Sequence, residues 1–342
     1  MPYATINKPS NYFDTELYTG NGSTQTITGV DFKPDFLLIK SRSAAWDMEA
    51  VDVVRGSTKI ISPKTTNAES TDAQGVTSFN SNGFSLGTRG GINASGDTYV
   101  GWSWLASNTT VSNNSGSITS TVSVNTTSGF SIVKWTGTSA TGTIGHGLGV
   151  APKVVIIKSL ANAEGWYSYW QPLGNDKQVA LNSTSAQGTT TLWNSTTPTS
   201  SVFSVINHSA VNGSGDYIAY CFADVKSFSK FGSYVGNSST DGAFIYTGFK
   251  PAFVMIKAST NINGWWIVDN KRNTFNPENA RLATNVSSIE NATPTNMLDF
   301  LSNGFKLRDT DDAWNATGNT YIYMAFAEQP LVGTNNVPAT AR

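Results

Sequence analysis

The feature that most constrains this chain is a short pattern written three times: Pro34-Asp-Phe-Leu-Leu-Ile-Lys40, Pro152-Lys-Val-Val-Ile-Ile-Lys158 and Pro251-Ala-Phe-Val-Met-Ile-Lys257. Each copy is a proline, one free position, four apolar residues and a lysine. So short an apolar run has no helical face and reads as a strand covered on both sides. Proline suits the first position, where its missing N–H breaks no ladder. The lysine closes the run, with its stem expected on apolar surface and its ammonium in water.

The neighbours of that strand recur too. Tyr18-Thr-Gly20, Trp135-Thr-Gly137 and Tyr234-Val-Gly236 stand 16, 17 and 17 residues upstream of the three prolines, each an aromatic strand end followed by a polar loop. Tryptophans follow each proline strand: Trp46, then Trp166 and Trp170, then Trp265 and Trp266. Copies one and three share Asp-x-x-Arg (Asp52 and Arg55, Asp269 and Arg272), where copy two has Trp170. Phe79-Asn-Ser-Asn-Gly-Phe-Ser-Leu86 and Phe300-Leu-Ser-Asn-Gly-Phe-Lys-Leu307 predict hairpins turning at Asn-Gly. Copy two keeps only Phe203-Ser-Val205 of that element.

Each copy closes on an alternating strand that begins at Thr98, Asp216 and Thr320. Its large apolar side chains (Trp102 and Trp104, Tyr220 and Phe222, Met324 and Phe326) predict one core face. Its small ones (Gly101 and Ser103, Ala219 and Cys221, Ala325) predict a backbone passing close by. Asn93, Asn212 and Asn315 open the Gly-ending turns before these strands. The reading is an all-β chain of three tandem homologous β-sandwich domains: an arm over 1–12, domains over 13–109, 110–226 and 227–329, and a tail over 330–342. The Ser/Thr/Asn-rich stretch 107–128 could serve as a linker, but Ile118, Val122 and Val124 alternate and predict an added strand of the second domain. Both ends read as extensions that order against a neighbour.

Composition narrows the function classes. Only 13% of residues are charged and the net charge is −1, so neither nucleic acid nor an anionic membrane is an expected partner. The single cysteine, Cys221, leaves no disulfide framework and no thiolate metal site. The first residues carry no apolar signal core, and no run is long enough to span a membrane, so membrane insertion is not expected.

Read together, Tyr-Thr-Gly, the proline strand, Ser-Asn-Gly-Phe and Gly-Asn-Thr-Tyr-Ile-Tyr-Met-Ala-Phe-Ala-Glu resemble repeated domains in virion proteins of marine tailed bacteriophages. The resemblance runs from Asn11 to Arg342, and Ala-Phe-Ala-Glu-Gln-Pro-Leu-Val-Gly-Thr-Asn near the end is its most specific part. It implies a non-enzymatic structural protein located in the virion, such as a tail-fibre component acting in host attachment. The alternatives it leaves are a capsid decoration protein and a polysaccharide-cleaving tailspike. A weaker resemblance to H-type lectin domains rests on the Pro-x-Val strand and a closing strand ending in Trp104-Leu-Ala106. It implies a lectin-like sandwich and a homotrimer, here with terminal arms crossing between chains. Other virion proteins and a host cell-surface glycan are the remaining implied partners.

No catalytic constellation stands out and no cofactor is implied. His146 and His208 lie in Gly- and Ser-rich surroundings of copy two and read as exposed loop residues rather than catalytic bases. Cys221 reads as a buried thiol. The Asp-x-x-Arg pairs read as structural ion pairs that need a turn or bulge to meet. Trp46, Trp166 and Trp265 read as recurring core residues. Trp170, Trp193 and Trp266 fall outside that register, which leaves core and contact roles evenly balanced and makes them the candidate binding residues.

Overall fold

The three apolar strands form as expected, and each organises a large antiparallel sheet. The computed structural model describes residues 4–293, 296–333 and 338–340. In the first unit the sheet order is Phe13–Thr19, Thr98–Trp104, Phe36–Ser41, Glu49–Asp52, Gly56–Ile61, Ser70–Thr71. The second unit centres on Phe130–Thr136, Asp216–Phe222, Val154–Ser159 and Tyr167–Trp170 in the same spatial order. The third repeats it with Ser229–Val235, Thr320–Pro330, Phe249–Ala258 and Trp265–Asp269. The closing strand therefore lies between the opening strand and the proline strand in all three. Val111–Asn113 and Ser120–Asn125 extend the second sheet, so the polar stretch after Ser107 does carry strands.

A small second sheet of two or three strands packs on each large one, giving an all-β fold of sandwich character. The small side chains of the closing strands make room for it: a Cβ on Gly101 would sit 3.2 Å from the Phe84 ring. The large side chains face the other way, into one apolar core shared by all three units. The closing strands thus have two buried faces, the large residues in the shared core and the small ones under the second sheet, the close approach that their small side chains predict. The hairpins form at Val76–Asn80 with Gly83–Leu86 and at Leu298–Leu301 with Gly304–Leu307, but they turn at Ser81–Asn82 and Ser302–Asn303. Gly83 and Gly304 begin the returning strands. A Cβ there would lie 2.0 Å from the Ile27 carbonyl oxygen or 2.1 Å from that of Ile245, so close strand approach requires glycine at both, and Gly83 in addition holds a φ of +150°.

One end of every unit is locked alike. Tyr18, Trp135 and Tyr234 stack on Tyr99, Tyr217 and Tyr321 at 5.2, 5.4 and 5.1 Å. The Tyr99, Tyr217 and Tyr321 hydroxyls donate to the carbonyls of Gly90, Ser209 and Asp312 and accept from the amides of Ala94, Gly213 and Ala316. Asn93, Asn212 and Asn315 are buried and tie the turn to the aromatic-x-Gly loop.

The units close on one another through a recurring set of bonds. The amides of Glu69, Gln187 and Glu290 donate at 2.9, 2.7 and 2.8 Å to the carbonyls of Leu160, Ser259 and Arg42. Those acceptors each stand two positions beyond a motif lysine. First unit bonds second, second bonds third, and third bonds first. Across the shared core Phe36 stacks on Tyr220 at 4.2 Å, Trp104 meets Phe326 at 5.6 Å, and Trp170 meets Trp265 at 5.8 Å. The void left among these side chains is only about 30 Å³.

The N-terminal arm departs from expectation. Ala4, Ile6 and Pro9 are buried, Ile6 joins the shared core, and the Tyr12 ring lies 6.0 Å from Phe228. Residues 4–12 are therefore seated on their own chain. At the other end the third closing strand runs on to Pro330, and Val332 bridges to Pro338; residues 1–3, 334–337 and 341–342 lie outside the described residues.

Candidate functional site

The chemistry-bearing side chains fall into two groups: charges buried where the units meet, and loop residues on the outer surface. Among the first are the motif lysines. Lys40, Lys158 and Lys257 are fully buried, contrary to the solvated ammonium expected from the sequence. Each ammonium crosses to a backbone carbonyl of the preceding unit in the ring: Lys40 Nζ to Val286 at 3.2 Å, Lys158 Nζ to Thr66 at 3.2 Å and Lys257 Nζ to Thr184 at 3.3 Å. Carbonyls of their own units complete the set, with Lys40 also donating to Trp46, Lys158 to Ser159 and Asn162, and Lys257 to Ala258. Burial pushes all three down to about 8.

The Asp-x-x-Arg pairs form in turns after the Trp-bearing strands. Arg55 Nε and Arg272 Nε each donate to their aspartate at 2.6 Å, and all four side chains are buried. The same aspartates accept from the next unit: Tyr220 Oη donates to Asp52 at 2.8 Å and Trp102 Nε1 to Asp269 at 3.1 Å. The third junction has no such set. Register places Trp170 at the aspartate position and Met324 at the donor position, and Leu173 stands where the arginine would be. Acceptor, arginine and donor are present together or absent together.

Burial corrects several site expectations. Trp170 and Trp193 are 0% and 2% exposed. Trp170 packs between the second and third units, and Trp193 fills the second unit's own core, donating to the Lys177 carbonyl at 2.8 Å. Neither offers a ring to an external ligand. Trp266 differs from both in being only half-buried, with its ring packed against the core. Trp46 is 42% exposed rather than core, because register puts Met48, not Trp46, at the position that Trp166 and Trp265 occupy in the other units. Spacing from the lysine carries the signal that was missed: Met48, Trp166 and Trp265 all stand eight residues beyond it, Trp46 only six. His146 is fully buried, accepting from the Leu148 amide and meeting the Thr199 carbonyl at 3.1 Å through Nε2. Burial lowers its pKa, so the neutral ring is favoured. His208 is exposed and Cys221 is buried, as expected.

Around Trp266 a second set of loop residues meets, of which the sequence offered no hint. Arg281 lies over the Trp266 ring at 4.5 Å and over Trp314 at 4.9 Å, with the two rings nearly perpendicular at 89°. Asn263 accepts from Trp266 Nε1 and donates to Asp312 Oδ1 at 3.1 Å. Elsewhere, a cleft of about 470 Å³ between the first and third units is lined by Asp14, Asp31, Lys271 and Glu328. Among the described residues no cluster of His, Cys, Asp and Glu is arranged to hold a metal ion.

Fold and site define a class: an all-β protein of three antiparallel sandwich-like units closed on one core, with aromatic and charged loop residues on the outside. Residues 8–330 match the family described as "Domain of unknown function (DUF7483)", and the chain belongs to that family. No curated protein and no solved structure matches the chain.

Proposed function

We propose that this chain is a structural, non-enzymatic component of a tailed-phage virion. On this reading it belongs to a tail fibre or similar appendage and acts in host-surface adhesion and assembly. The observation that carries the reading is the closure of three units on a shared apolar core, joined by the recurring ring of backbone bonds. Such a body presents loops from a rigid frame, which suits adhesion: binding residues on fixed elements lose little entropy when they engage. The sequence resemblance to phage virion proteins supports the location. Residues 4–12 order against their own chain, so the N-terminal arm needs no second subunit in order to be seated.

Capsid decoration is the second reading, and the threefold recurrence favours it specifically. One chain with three like units presents near-threefold geometry and suits a local threefold position of a shell without needing three copies. The experiment that separates the two is labelling of purified virions with an antibody against the chain, read by electron microscopy. Label on tails supports the appendage, label on heads supports decoration, and virions without label refute both.

A further inference from the structure

Every arginine of the described residues except one is engaged in an ion pair: Arg42, Arg55, Arg89, Arg272 and Arg308 each meet a carboxylate. Arg281 meets none. Its Nε is buried without a hydrogen-bond partner, and its guanidinium forms neither a hydrogen bond nor an ion pair among the described residues. Two indoles hold it instead, and the Trp314 Nε1 beside it is also buried and unpartnered. Orphaned donors of this kind cost stability and are uncommon in native folds, so two at one spot call for a reason. Burial without a partner also holds the arginine below its ordinary value, although the charges of Asp311 and Asp309 reach it.

The surroundings describe what would complete the site. Trp266 is half-buried, Asp312 is exposed, and Ile262 beside them is 70% exposed. Asn263 links Trp266 to Asp312 and fixes both. Asp309, Asp311 and Asp312 outnumber the single guanidinium, so an anionic ligand would be repelled. A ligand that both donates and accepts, and that has an apolar face, fits better. Adjacent hydroxyls of a sugar accept from a guanidinium while donating to a carboxylate, and the C–H face of the ring lies on an indole.

We infer that Trp266, Arg281 and Asp312 form a binding site for a neutral saccharide on the third unit. The inference rests on the adhesion reading and supplies its ligand class. The site is peculiar to that unit. At the position of Trp266 the first unit has Glu49, closed off by its ion pair with Arg89, and the second has Tyr167.

The test uses the full chain with methyl glycosides of glucose, galactose, mannose, N-acetylglucosamine and N-acetylgalactosamine. Galacturonate and sulfate serve as anionic probes. Saturation-transfer NMR and tryptophan fluorescence are the readouts. At least one neutral glycoside should bind with a Kd of order millimolar, and Trp266→Ala and Arg281→Lys should each weaken it by about tenfold or more. Trp46→Ala should leave it unchanged. Asp312→Asn, a surface change that keeps the fold, should weaken it too if either other variant misfolds. Absence of binding by every neutral glycoside, preference for the anions, or binding by the Asp312→Asn and Arg281→Lys chains as tight as that of the unaltered chain would overturn the site. Adsorption of the chain to host cells, measured alongside, separates the two levels. Adsorption that survives these changes sinks the site alone, whereas no adsorption by the unaltered chain sinks the adhesion reading.

Discussion

Removal of the Asp52 carboxylate is the sharpest test of how the units are joined. Asp52 accepts from Arg55 Nε at 2.6 Å and from Tyr220 of the next unit at 2.8 Å, and both Asp52 and Arg55 are buried. Asp52→Ala leaves the buried Arg55 guanidinium with only the 3.3 Å contact to Glu69 as an ion pair, which should cost about 3 kcal/mol, the low end for breaking a buried pair. Tyr220→Phe removes one hydrogen bond to a charged group and leaves the ion pair intact, so it should cost only about 1.5–3 kcal/mol. The third junction already shows an alternative solution, since Trp170, Leu173 and Met324 replace acceptor, arginine and donor with apolar groups. The triple change Asp52→Leu, Arg55→Leu, Tyr220→Phe should therefore lie within about 2 kcal/mol of the parent, well above Asp52→Ala alone. Urea unfolding followed by tryptophan fluorescence reads all four chains, with an unchanged m-value showing that only stability moved. If Asp52→Ala costs less than about 1 kcal/mol, or the triple change is as damaging as the single one, the buried set does not work as a unit.

The motif lysines make stability depend on pH. Their folded value of about 8 lies below the ordinary 10.5, so between these values the unfolded chain binds more protons and stability should rise with pH, by at most about 1.4 kcal/mol per unit for each lysine, with no slope from them below 8. Chemical denaturation from pH 7 to 10 checks this, and Lys257→Met should remove one lysine's share; a flat profile refutes it. Buried tyrosines such as Tyr18 and Tyr220, whose values are raised, should reverse the trend above about pH 10. His146→Ala should cost about 2–4 kcal/mol by opening a cavity and freeing the Thr199 carbonyl and Leu148 amide, while His208→Ala should change little; thermal melts distinguish them. Gly20→Ala and Gly236→Ala should each destabilise by more than about 2 kcal/mol, because the new Cβ would lie 2.1 Å from the Ala94 carbonyl oxygen or 2.4 Å from that of Ala316. Light scattering should find a monomer, since the ring of bonds closes within one chain; a stable trimer refutes that.

What the sequence revealed, and what it hid, follows from whether an interaction is local in register. The proline strands, the closing strands and the Asp-x-x-Arg pairs are legible because side-chain period and residue type act within a few positions. Core and surface are less so, because the residue pattern of one unit is silent about what the neighbouring unit covers. That is why Trp170 reads locally as a contact residue although it seals a junction between units, and why a lysine closing an apolar run reads as solvated. Their carbonyl partners lie in the preceding unit, at Val286, Thr66 and Thr184, and nothing local marks those residues. Comparison of the copies with one another recovers part of this. Where a residue changes in one copy, its partners across the junction change with it: tryptophan for Asp52, leucine for Arg55 and methionine for Tyr220. Read along one strand, Trp170 is an irregularity. Read across three junctions, Trp170, Leu173 and Met324 form one substitution, and their agreement implies that the units meet in a closed ring. Arg281 has no counterpart engaged in this way, and neither local pattern nor internal comparison accounts for its isolation. The proposed saccharide site therefore lies where the repeat pattern stops accounting for the residues.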